Sequence, residues 1–176
     1  MYGGMCTSEY TQSLLNLSES ANKSEGVKLT TIFLGNESLI QRGRNTIAHH
    51  FMNLPDATHL LFIDADIKFR VEDVVKMIQA DKSLIIGPVA LKGYEWEEIR
   101  QAAINGEEDI ARTGGVFNIN KLPGVDMVDE NEPFEIEHGG NAFMMIRRDC
   151  FETLKPHTPI YTNGGRSLPD GVEIKD

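Results

Sequence analysis

Residues 60–69 read LLFIDADIKF. Four apolar side chains suited to an interior run straight into Asp64 and Asp66, with Ala65 between them. An isolated ionised carboxylate is too costly to bury without a partner. Either the pair stands at an exposed strand end, Asp64 closing the strand and Asp66 opening a turn, or it holds something positive. The segments on either side bear on the choice.

The run 59–66 (HLLFIDAD) is apolar on both faces, as the centre of a parallel sheet requires. Upstream, residues 8–24 carry Tyr10, Leu14, Leu17 and Ala21 at helical spacing, Gly26 ends that helix, and VKLTTIFLG (27–35) reads as a strand. Ser38 and Gln41 form a capping-box pattern opening a helix through Met52. Downstream, 71–81 is predicted helical, SLIIGPVAL (83–91) a second buried strand, and 95–105 a further helix. The alternation predicts an α/β fold with a mostly parallel central sheet flanked by helices. The second half is smaller and mixed: a short strand at 113–120, a polar loop, one kinked or two separate strands over 134–146, and a helix from Arg147.

The chain of 176 residues suits one domain, read here as a nucleotide- and metal-binding half (1–92) and an acceptor-side half (93–176). Its Gly-, Pro- and Asp-rich tail suggests a fragment of a longer protein. The net charge of −10 and a pI of about 4.9 disfavour a nucleic-acid partner, since phosphate-backbone affinity rests on clustered Lys and Arg. No apolar run approaches the roughly 20 residues that span a bilayer, and MYGGMCTSEY lacks the pattern of a signal peptide. Cys6 and Cys150 fit no metal-ligand spacing and read as reduced thiols in a cytoplasmic setting.

In open α/β sheets, ligands sit outside the carboxyl ends of the strands. If the chain stays extended, Asp64 and Asp66 project to one side there. Two close carboxylates repel unless a cation intervenes. A hard divalent ion, Mn2+ or Mg2+, uses a few carboxylates and completes its shell with substrate phosphates. A D-x-D nucleophile of the haloacid-dehalogenase type is a competitor, but it expects Thr or Val where this chain has Lys68.

On the helix 38–52, Ile40, Ile47, Ala48 and Phe51 make an apolar stripe, and Arg44 falls near its middle. A guanidinium turned toward a core needs an anion. That anion belongs either to a structural ion pair or to a nucleotide in the strand-end crevice, with Asn45 beside it at the rim. Arg42 lies off the stripe and reads as solvated. Lys92, following the strand 83–91, is either a loop lysine or a phosphate contact. In FEIEHGG, His138 shares a strand face with Phe134 and Ile136, which suits a core histidine or a third metal ligand. Gly139 and Gly140 permit a bulge or the close approach of an acceptor sugar, with Asn141 as a hydrogen-bonding group. Tyr94 and Trp96 read as helix packing or as an aromatic lid or platform.

The segment GRNTIAHHFMNLPDATHLLFIDADIKF resembles the core of GT-A glycosyltransferases, in which Arg-Asn on a helix precedes an apolar strand ending in D-x-D by about twenty residues. YGGMCTSEYTQSLLNL is similar to their first loop and helix, and HGGNAFMMIRRDCFETL to the segment bordering their acceptor. Together these cover roughly residues 2–155 in the expected order. The likeness runs toward the glycosyltransferase domains of glycan-building enzymes of large DNA viruses, which implies host cytoplasm as the setting.

The resemblance implies that Asp64, Ala65 and Asp66 handle Mn2+ and the donor diphosphate, that Tyr2 and Gly3 lie near the base, and that Arg44 and Asn45 lie beside the nucleotide. It further implies that a late histidine, here His138, can complete the metal set. The family's first strand should precede Tyr2. Its usual late acidic pair has no clear counterpart among Asp170, Glu173 and Asp176, so no catalytic base is assigned and the stereochemical lean is toward retention. The expected function is a metal-dependent glycosyltransferase moving a sugar from a nucleoside-diphosphate donor, UDP-linked, to a glycan or other hydroxyl acceptor. The rivals are a sugar nucleotidyltransferase, disfavoured because MYGGMCTSEY carries no cation, and a non-catalytic nucleotide-sugar binding module.

Overall fold

A computed structural model describes residues 4–108, 110, 113–125 and 132–158. The chain runs through α1 (Ser8–Lys23), α2 (Ile40–Met52), β1 (His59–Ile63), α3 (Val71–Gln79), β2 (Leu84–Ile86), β3 (Ala90–Tyr94) and α4 (Trp96–Asn105). It continues through β4 (Gly115–Phe117), β5 (Ile119–Lys121), β6 (Ile136–Gly139), β7 (Phe143–Arg147), α5 (Arg148–Leu154) and a 3-10 turn at Lys155–His157.

The central sheet has the order β1-β7-β2, with β7 antiparallel to both neighbours. This corrects the expected parallel sheet, and among the described residues every ladder is antiparallel. The expectation rested on β1 being apolar on both faces. That pattern reports coverage of both faces, which a central antiparallel ladder between two layers of helices produces equally well.

The period of two along β1 divides the core. Leu60 and Phe62 meet Phe51 of α2 and Ile146 of β7, with Phe151 of α5 beside them. Leu61 and Ile63 pack on the other side, where Tyr10 and Leu17 of α1, Val74 and Met77 of α3, and Phe143 and Met145 of β7 form the second cluster. The result is a helix–sheet–helix sandwich around three strands.

Local chemistry explains the element ends. The Thr7 side chain caps α1 by accepting from the Tyr10 N–H at 3.2 Å. Ser13 lies on the buried stripe of α1 because its hydroxyl accepts the Phe69 N–H at 3.1 Å. The capping box expected of Ser38 and Gln41 does not form. Helix α2 begins at Ile40, and the Glu37 carboxylate accepts the Leu39 N–H while also binding Arg42, which is therefore paired rather than merely solvated. The expected strand 27–35 carries no ladder, and Val27, Leu29 and Phe33 are exposed.

The predicted strand 83–91 is two strands. A Cβ on Gly87 would lie 2.3 Å from the Phe143 ring, so only glycine lets β2 end against β7. Pro88 then removes a ladder donor. The chain re-forms as β3, exposed along its length and paired with β4. Likewise 113–120 divides into β4 and the start of β5, and 134–146 into β6 and β7, with the break at Gly140–Ala142. Among the described residues, no helix is long and apolar enough to cross a membrane.

Candidate functional site

Because β7 runs antiparallel to β1, the loop that feeds it lies over the carboxyl end of β1. The backbone records this: the Asp64 N–H donates to the Ala142 carbonyl at 2.8 Å, and the Gly87 N–H at the end of β2 donates to the Phe143 carbonyl at 2.9 Å. The two aspartates therefore stand where the ends of β1 and β2 meet the entry to β7.

Asp64 and Asp66 do not lie on extended chain, contrary to the premise of the side-chain alternation. The Ile67 N–H donates to the Asp64 carbonyl at 3.1 Å, closing a turn over 64–67. Asp is favoured at the opening of such turns. The turn is held from the other side by the Thr7 N–H, which donates to the Ala65 carbonyl at 2.9 Å and brings the N-terminus of α1 to the loop.

Each carboxylate has a cation. Arg44 reaches from α2 across twenty residues of sequence to donate to Asp64 Oδ1 at 2.9 Å, and also to the Asn141 carbonyl at 3.2 Å. Its guanidinium lies 5.8 Å over the Phe62 ring, so the position on the apolar stripe is satisfied by an ion pair and an aromatic face together. Lys92 donates to Asp66 Oδ2 at 3.0 Å. It sits within β3 rather than after a strand. Burial pushes the Asp64 carboxyl above the usual range; Arg44 pulls it back and the nearby Asp66 charge adds to the rise.

Sequence reading missed the residue that shapes the loop. Asn118, between β4 and β5, donates its backbone N–H to the Val89 carbonyl at 3.1 Å and accepts the Val89 N–H on Oδ1 at 2.9 Å. Its own carbonyl accepts the Gly140 N–H at 2.7 Å. A Cβ on Gly140 would lie 2.1 Å from Asn118 Nδ2, so this glycine is needed for contact with Asn118. Asn118 thereby ties the β2–β3 connection to the loop whose Asn141 carbonyl receives Arg44. In the sequence Asn118 is an amide residue inside the predicted strand 113–120, which by itself names no partner.

Of the other expected site residues, Asn45 is exposed beside Arg44 on α2, and Gly139 lies at the end of β6. His138 does not share a buried face with Ile136: its side chain is 66% exposed, 3.9 Å from Glu137. Among the described residues no three of His, Cys, Asp and Glu stand together as a metal-holding group, so His138 does not join Asp64 and Asp66 in one. Trp96 and Tyr94 are not packed beneath α4; they are exposed, with ring centroids 5.6 Å apart. Tyr2, Gly3, Asp170, Glu173 and Asp176 lie outside the described residues.

The arginines of the segment likened to an acceptor border lie at the far end of the sheet, where Arg147 pairs with His59 in register. Arg147 is held by Asp81 and Asp149, and Arg148 by the carbonyls of Phe51, Leu54 and Ala57.

The two half-exposed carboxylates suit an ion of the Mn2+ or Mg2+ kind, which keeps waters and takes further oxygens from phosphate. The two carboxylates and the two cations cancel in charge. No protein-family model matches the chain, nor does any curated protein or solved structure.

Proposed function

We propose that this protein is a metal-dependent glycosyltransferase of GT-A-like organisation, taking a sugar from a nucleoside-diphosphate donor, UDP-linked, to a hydroxyl acceptor. The observation that carries the reading is the pairing of Arg44 with Asp64 and of Lys92 with Asp66 at the carboxyl end of β1. Carboxylates for a divalent ion and cations for phosphate oxygens are thereby gathered at one strand end. When bound, Mn2+ would supply Lewis-acid neutralisation of the departing diphosphate. The chain's own part is to orient: Asp64 and Asp66 offer hard oxygen ligands, Arg44 fixes Asp64, and the segment 138–141 borders the face from which an acceptor hydroxyl approaches.

Calorimetric titration of UDP with and without Mn2+, on the wild type and Asp66→Ala, tests this. The expected result is metal-dependent binding that the variant loses. Absence of binding across a panel of nucleoside diphosphates would overturn it. Occupation of both carboxylates by cations also suits a module that binds a nucleotide sugar without turnover; slow hydrolysis of the donor separates that from an enzyme.

A further inference from the structure

The two cations at the aspartates are held very differently. The Arg44 side chain is 18% exposed and is fixed by Asp64, the Asn141 carbonyl and the Phe62 ring. The Lys92 side chain is 91% exposed, and its hydrogen bond is to Asp66. The strand that carries it, β3, is exposed along its whole length. An ammonium on a four-carbon stem re-aims at little cost, whereas a guanidinium held at several points does not.

Electrostatics then separates the binding partners. A divalent ion arriving alone meets Arg44 and Lys92, and must displace Lys92 from Asp66 into water. A diphosphate arriving alone meets two carboxylates. Arriving together they nearly cancel, and the displaced ammonium finds phosphate oxygens in place of the lost carboxylate.

Resting on the transferase reading above, we infer that Lys92 is an exchange cation. It holds Asp66 while the cleft is empty and passes to the diphosphate when Asp66 takes the metal, while Arg44 stays on Asp64 as a positioning residue. The consequence is that metal and nucleoside diphosphate bind as a coupled pair, each strengthening the other by the same factor.

The test is a thermodynamic cycle on the full chain: Mn2+ alone, UDP alone, and each in the presence of the other, for the wild type, Lys92→Gln and Lys92→Arg. In Lys92→Gln, Mn2+ alone should bind about three- to fivefold more tightly, the span that loss of one exposed ion pair supports. UDP in saturating Mn2+ should bind about tenfold more weakly, the loss of one charge-assisted contact. Lys92→Arg should keep the coupling. Weaker UDP binding with no gain for Mn2+ would make Lys92 a plain phosphate contact and overturn the exchange while leaving the transferase reading intact. No change in either would make it a surface ion pair, with the same consequence for the exchange. A wild type that binds neither partner would sink the transferase reading and this inference together. Melting curves confirm that the variants fold, as expected for so exposed a side chain.

Discussion

The Arg44 guanidinium donates to the Asp64 carboxylate at 2.9 Å, joining the middle of α2 to the end of β1. Arg44 is mostly buried and Asp64 is half exposed, so the two partners lose solvent unequally. Arg44→Met keeps the packing over Phe62 and removes the charge. Because water reaches Asp64, the expected destabilisation is about 1 kcal/mol, read as a lower urea midpoint at unchanged slope. A variant as stable as the wild type would show that the pair is energetically idle.

The same pair sets a titration. Burial raises the Asp64 carboxyl and Arg44 opposes that rise, so Arg44→Met should move its midpoint further up. Carbon-detected NMR of the carboxyl reads this directly. The linkage sign follows: a raised carboxyl binds its proton more tightly in the folded state. Its contribution is present below the ordinary carboxylate range and lost as pH rises through the raised midpoint.

Asp149 has the opposite sign. Hydrogen bonding to Arg147 is the main cause that pulls its carboxyl down to about 2. Its contribution is fully present above the ordinary value of about 4, and is lost as pH falls toward about 2. Arg147→Met should therefore melt below the wild type at neutral pH, with the gap closing on acidification. A gap that stays constant with pH would place the effect in packing instead.

Gly140→Ala tests the loop. The added methyl would meet Asn118 Nδ2 at 2.1 Å, and Asn118 is bonded to Val89 on its other side. Overpacking of this kind costs about 1–3 kcal/mol. The variant should lose stability and shift the Asn141 and Asp64 amide resonances, whereas Gly93→Ala, with open space around it, should do neither.

Trp96 is the one tryptophan of the chain and its residue is 72% exposed. Its emission should match that of indole in water and be quenched by iodide, and Trp96→Ala should change stability by less than about 0.5 kcal/mol. A blue-shifted, protected emission would mean that α4 buries its aromatic end.

What the sequence determined by itself was local. Tyr10, Leu17 and Ala21 repeat at the helical period and form the buried stripe of α1. LLFI announced β1, and Arg44 among apolar neighbours announced a need for an anion, because side-chain period and charge are properties of contiguous residues. Tertiary structure decided what no period encodes. An apolar strand reports how many faces are covered and not the direction of its neighbour, so β7 between β1 and β2 was invisible. A lysine counts as solvated until a remote carboxylate is placed beside it, as Asp66 is for Lys92. Asn118 and Gly140 show the same limit: their contact exists only once the β4–β5 junction and the β6–β7 loop are folded against each other.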